Sequence, residues 1–110
     1  MLLRRMAVLI AATGLLALPG TTALAAPSDQ DASYLKAAHQ SNLAEIAGGK
    51  IAQQKGTSEQ VKNLGARFIA DHTKLDTALR QTAEGLGVEL PSAPNSEQQA
   101  LAQRRRPDFQ

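Results

Sequence analysis

Cysteine and tryptophan are absent from the chain, and its aromatic residues number two Phe and one Tyr. The first absence excludes disulfides, thiol nucleophiles and a lipid anchor on an N-terminal cysteine. The shortage of large rings leaves a core to be built from alanine, leucine and close-packed helices. An excess of one charge is lacking as well: 12 Lys+Arg stand against 10 Asp+Glu, for a formal net charge of +2. Arg4, Arg5 and Arg104, Arg105 and Arg106 lie at the two ends, and between them the charges nearly balance, so no nucleic-acid partner is expected. No stretch alternates with the period of two that marks strands, there is no internal repeat, and no apolar run reaches the ~20 residues that span a bilayer.

What is present begins with an export pattern. Met1–Arg5 carries two positive charges, Met6–Leu18 is an almost unbroken apolar run, and Pro19-Gly20 precedes the small-residue stretch Thr21–Ala26. This three-part layout reads as a cleavable signal peptide over residues 1–25, with the cut after Ala25 or, as an alternative, after Ala26. A retained membrane anchor is disfavoured by the shortness of the apolar run. Leu3 before Arg4-Arg5 and Met6-Ala7 after it fit the twin-arginine signal poorly, which favours general secretion. The protein is therefore expected beyond the cytoplasm, in the periplasm, the cell envelope or the medium, with membrane contact only through the signal peptide before cleavage. Residues 26–110 form a single small domain.

That domain reads as all-α. Polar residues at Ser28-Asp29-Gln30-Asp31 offer helix caps, and a first helix is predicted over about 32–55, with Leu35, Ala38, Asn42, Glu45, Gly49 and Ala52 as its inward row. Small residues on that row admit a close neighbour, although Gly48-Gly49 costs up to ~1 kcal/mol per glycine relative to alanine. Gly56 ends this helix. Thr57-Ser58-Glu59-Gln60 then predicts a capping box from Thr57 to Gln60, opening a second helix over 59–84 that ends at Gly85 and Gly87. Its stripe is Val61, Leu64, Phe68, Leu75, Leu79 and Leu86, with His72 in the middle. The short connection predicts an antiparallel helical hairpin. Val88–Asn95, with Pro91 and Pro94, reads as an extended connector leading to a partial third helix that starts at Ser96 and is interrupted by Pro107.

An imidazole in a leucine stripe must find a partner or bear a desolvation cost. One reading makes Glu45 and His72, with Asp71 or His39, ligands of a metal ion between helices. Carboxylate-bridged metal bundles place a carboxylate three residues before the histidine, and position 69 is Ile. The preferred reading is a structural polar core of Asn42, Glu45 and His72, with no cofactor. His39 is expected at the edge of the first helix, solvated or half-buried. No serine sits in a glycine-flanked turn after a strand, and no glycine pair opens a helix as a phosphate cradle does, so no enzymatic activity is expected. Arg104, Arg105 and Arg106 read as solvated charges rather than as a lipid or nucleic-acid contact.

The segments Asn42-Leu43-Ala44-Glu45, Gly49–Lys55, Val61-Lys62, Phe68, Asp71-His72, Leu79 and Gly87-Val88-Glu89-Leu90-Pro91 resemble a bacterial exported domain of unknown function often labelled a predicted outer membrane protein. The resemblance covers about Asp31 to Pro91. It implies a ferritin-like four-helix bundle and export, and it attaches no enzyme. Members of that family continue through two further long helices, so this chain resembles the first half of the bundle, incomplete or truncated after Pro107-Asp108-Phe109. An uncovered stripe on the second helix then predicts either a homodimer or, equally, a poorly stable product of an interrupted reading frame. The function expected is that of a non-catalytic envelope protein related to stress or surface contacts, with a metal-binding ferritin-like protein using Glu45 and His72 as the alternative.

Overall fold

The computed structural model describes residues 25–105; residues 1–24 of the expected leader and residues 106–110, among them Arg106 and Pro107, lie outside the described residues. Within that range the chain is helical and has no strand. Three helices follow one another: α1 (Asp29–Lys55), α2 (Glu59–Leu86) and α3 (Ser96–Arg105). None of them is long and apolar enough to cross a membrane.

Caps set the boundaries. Ser28 caps α1, its hydroxyl accepting from the Asp31 N–H at 3.1 Å while the Asp31 carboxylate accepts from the Ser28 N–H at 3.1 Å. This reciprocal box starts α1 three residues before the predicted position. At α2 the cap is Ser58 rather than Thr57: the Ser58 hydroxyl accepts from the Val61 N–H at 3.2 Å. Gly85 does not end α2. The helix runs through it to Gly87, whose φ of 69° is the left-handed conformation that only glycine adopts without strain. The Val88 N–H then donates to the Ala83 carbonyl at 2.8 Å, closing the last turn. Asn95 opens α3, with its Oδ1 accepting from the Gln98 N–H at 2.8 Å and Gln98 Oε1 accepting from the Asn95 N–H at 2.9 Å.

α1 packs along α2, and α3 touches α1 more lightly. The Gln40 side chain donates to the Ala93 carbonyl at 3.2 Å, which fixes the connector against α1. The seam between α1 and α2 is made of small and polar residues: Leu35, His39 and Gly49 are buried on α1, and Gly65, Asp76 and Ala83 on α2. A β-carbon on Gly49 would lie 2.7 Å from the Gly65 carbonyl oxygen, so the two backbones meet without side chains between them.

The leucine stripe of α2 does not coincide with this seam. Leu64 and Leu75 remain 55% and 57% exposed. Each stands one residue before a buried one, Gly65 and Asp76, and one residue is ~100° of helical turn. Val61, Phe68, Leu79 and Leu86 lie between these directions and are half-buried.

Candidate functional site

The seam carries two polar pairs. His39 is only 6% exposed, contrary to the edge position expected from sequence, and its Nδ1 lies 2.6 Å from Oδ1 of Asp76, which is also 6% exposed. A carboxylate only accepts, so the Nδ1–H donates and the tautomer is set by Asp76. The other Asp76 oxygen faces Arg80 Nε at 4.0 Å across one helical turn. Both carboxylate oxygens therefore face cationic or donor groups, the arrangement that makes a buried carboxylate tolerable.

One turn away, His72 Nδ1 lies 3.1 Å from Asn42 Oδ1. The amide oxygen accepts, so the imidazole donates here as well. The Phe68 ring lies beside His72 with centroids 5.5 Å apart and planes tilted by 31°, shielding one face of the imidazole. No buried side-chain nitrogen or oxygen among the described residues is left without a partner.

Of the residues singled out from sequence, Asn42 and His72 are brought together. Glu45 does not join them: it is exposed at the edge of a groove beside α3. Asp71 points away from the seam, being 62% exposed in its side chain and 3.5 Å from Arg67 Nε one turn earlier. Glu45, His72 and Asp71 thus occupy three separate surroundings. Among the described residues no group of three or more His, Asp or Glu side chains gathers where it could hold a metal ion. Arg104 is exposed on α3, and Arg106 lies outside the described residues.

Asp76 is hidden in the sequence because it resembles the exposed acids around it. Its signal is positional. Once Asn42 faces His72, the next turn back on α1 brings His39 to the next turn forward on α2, which is Asp76.

A groove of about 440 Å³ opens between α1, α2 and α3, with Gly48, Ala52, Val61, Leu64, Phe68 and Leu101 on its walls. Its lining is largely apolar, and Glu45 and Gln98 supply polar groups at the rim.

No curated protein and no solved structure matches the chain. A family model does, over residues 16–106, which takes in all three helices and the seam. The chain belongs to the family described as Domain of unknown function (DUF4142).

Proposed function

We propose that this protein is an exported, non-catalytic helical module of the bacterial cell envelope, built as an antiparallel hairpin of α1 and α2 that corresponds to the first half of a ferritin-like four-helix bundle. The observation that carries the non-catalytic reading is the mutual saturation of the seam: His39 is bonded to Asp76 and His72 to Asn42. Imidazoles engaged in this way set the register of two helices. The antiparallel arrangement is supported by the order of the contacts. Gly49 meets Gly65, Asn42 meets His72 and His39 meets Asp76, so positions fall along α1 as they rise along α2. The bundle reading is supported by the uncovered leucines on α2, which leave room for further helices.

Export is read from residues 1–25: a basic start, an apolar run and Ala23-Leu24-Ala25 ahead of the cut. A role in stress tolerance or surface contact is part of the same proposal, and the exported location is what supports it. Fractionation of expressing cells with intact-mass measurement tests the reading. A chain beginning at Ala26 or Pro27 outside the cytoplasm is expected, and an intact Met1 chain held in the cytoplasm would overturn it. Metal analysis of the same sample tests the structural role of the seam. Stoichiometric iron, zinc or manganese that disappears in Glu45→Ala and His72→Ala would replace the module by a metal-binding protein.

A further inference from the structure

Among the hydrophobic side chains of residues 25–105, Leu35 and Ala83 are the two buried ones, whereas Leu64 and Leu75 stand more than half exposed. Along α2, Val61, Phe68 and Leu75 recur every seven residues, and Leu64, Asp71 and Ala78 follow each by three. That is the spacing with which one helix pairs with another. At ~100° per residue this strip is turned roughly 90° from the row Gly65, His72, Asp76 and Ala83 that meets α1. Two neighbours at such an angle are what a helix in a four-helix bundle has, and α1 supplies one of them.

We infer that the strip is a two-fold interface between two copies of this chain, with α2 lying against α2 of the second copy in the opposite direction. A two-fold contact requires a self-complementary surface. In the register that sets Leu64 against Leu75 of the second copy, Leu75 meets Leu64 in return, and Val61 meets Ala78. Phe68 lies over Asp71 of the second copy. Arg67 comes within one residue, ~1.5 Å along the axis, of that same Asp71. Arg67 and Asp71 already approach each other within one chain at 3.5 Å, so the two-fold turns one exposed pair into a four-charge cluster of alternating sign. The parallel alternative stacks Asp71 on Asp71 and Arg67 on Arg67, which repel. The inference rests on the hairpin reading above, since α1 must leave this side of α2 open, and it has α3, whose Leu101 lines the groove beside Val61, Leu64 and Phe68, flank the second copy rather than cover the strip.

The lack of native cysteine makes the test clean, because an introduced thiol reports one position. The full chain is expressed with its own N-terminal segment, and its mass is measured by sedimentation equilibrium beside its circular dichroism. A helical dimer is expected. Under mild oxidation, Leu64→Cys protein mixed with Leu75→Cys protein gives a disulfide-linked pair. Leu64→Cys protein alone does not, because its two thiols lie roughly 16 Å apart along the axes, beyond disulfide reach. Leu64→Glu weakens association by about a hundredfold. Asp71→Arg also weakens it, and adding Arg67→Asp restores it. A helical monomer overturns the dimer and leaves the hairpin standing. A disulfide-linked pair formed by Leu64→Cys protein alone overturns the antiparallel register, and an unfolded chain overturns hairpin and dimer together.

Discussion

The backbones of Gly49 and Gly65 touch: a β-carbon on Gly65 would lie 2.6 Å from the Gly49 carbonyl oxygen and 2.9 Å from the Gln53 nitrogen. These obstacles are main-chain atoms of α1, which cannot rotate aside as a side-chain tip would. Gly49→Ala and Gly65→Ala must therefore push the helices apart, at a cost of about 1–3 kcal/mol, typical of overpacking. The gain of ~1 kcal/mol in helix propensity only partly offsets it. Gly48 and Gly85 provide the matched control, since a β-carbon at either meets nothing within 4 Å. Gly48→Ala and Gly85→Ala are expected to stabilise by up to ~1 kcal/mol. Urea unfolding of the four variants checks the contrast; equal behaviour of Gly48→Ala and Gly49→Ala would refute the close approach.

His39 and Asp76 form the deepest polar contact, and removing one partner strands the other in a buried site. Asp76→Ala is expected to cost about 1–3 kcal/mol, the range for stranding a buried hydrogen-bond donor, and His39→Ala at least as much, because it strands a carboxylate. Replacing both with leucine removes the unpaired group along with the pair, so His39→Leu/Asp76→Leu should recover most of the loss. Glu84, exposed on the side of α2 away from both the seam and the leucine strip, is the control: Glu84→Ala should change stability by less than ~0.5 kcal/mol. Nitrogen-15 spectra of the imidazoles test the hydrogen-bond direction independently. A protonated Nδ1 is expected on His39 and His72, and a bare Nδ1 on His39 at neutral pH would contradict the Asp76 contact.

Helices were legible in this sequence because their punctuation is chemical and local. Ser28, Gly56, Gly87 and the Pro91–Pro94 connector each stop or start a helix by backbone preference, and the structure departs by only a few residues at Ser28 and Gly87. The pairing of Asn42 with His72 was also legible, since an imidazole in an apolar stripe demands a partner. The orientation of α2 was not. Hydrophobic periodicity points to Leu64 and Leu75, yet α1 approaches along Gly65 and Asp76, where small residues permit contact. Sequence periodicity averages every apolar neighbour of a helix and does not say which neighbour covers which part of the stripe. That offset hides Asp76, while on α1 the row through Ala38 and Glu45 differs from the buried face through Leu35, His39 and Gly49, which turns His39 inward and leaves Glu45 outside.

Asp31 supplies a pH test at the start of α1. The Ser28 hydroxyl, and after it the Ser28 backbone N–H, hold its carboxyl below the usual carboxylate range by favouring the charged form. The folded value is thus lower than the unfolded one, near ~3.9. The contribution of the cap is complete above the unfolded value and is lost as pH falls through the folded one, a window below about pH 4. In a carbon-detected titration, Ser28→Ala should move the Asp31 midpoint upward. Asp31→Asn should abolish the acid fraying of the first turn of α1. A midpoint unmoved by Ser28→Ala would remove the hydroxyl as the cause.

The start of α2 separates two neighbouring hydroxyls that sequence alone ranks in the opposite order. Thr57 stands three residues before Gln60, the spacing of a reciprocal box, but the chain turns so that Ser58, at φ −105° and ψ 149°, occupies the cap. Its third helical residue is Val61, which has no polar side chain to return the bond, so Ser58 acts alone, unlike Ser28 with Asp31 or Asn95 with Gln98. Gly56 explains the shift. It sits buried against Val61, its N–H donating to the Ala52 carbonyl at 2.9 Å, and so ends α1 just two residues before Ser58. Ser58→Ala should then cost about 1 kcal/mol, the usual loss of an N-cap, and Thr57→Ala less than ~0.5 kcal/mol. Thermal unfolding of the two variants ranks them directly. A larger loss at Thr57 would return the cap to the box expected from sequence and would shift the first turn of α2 by one residue.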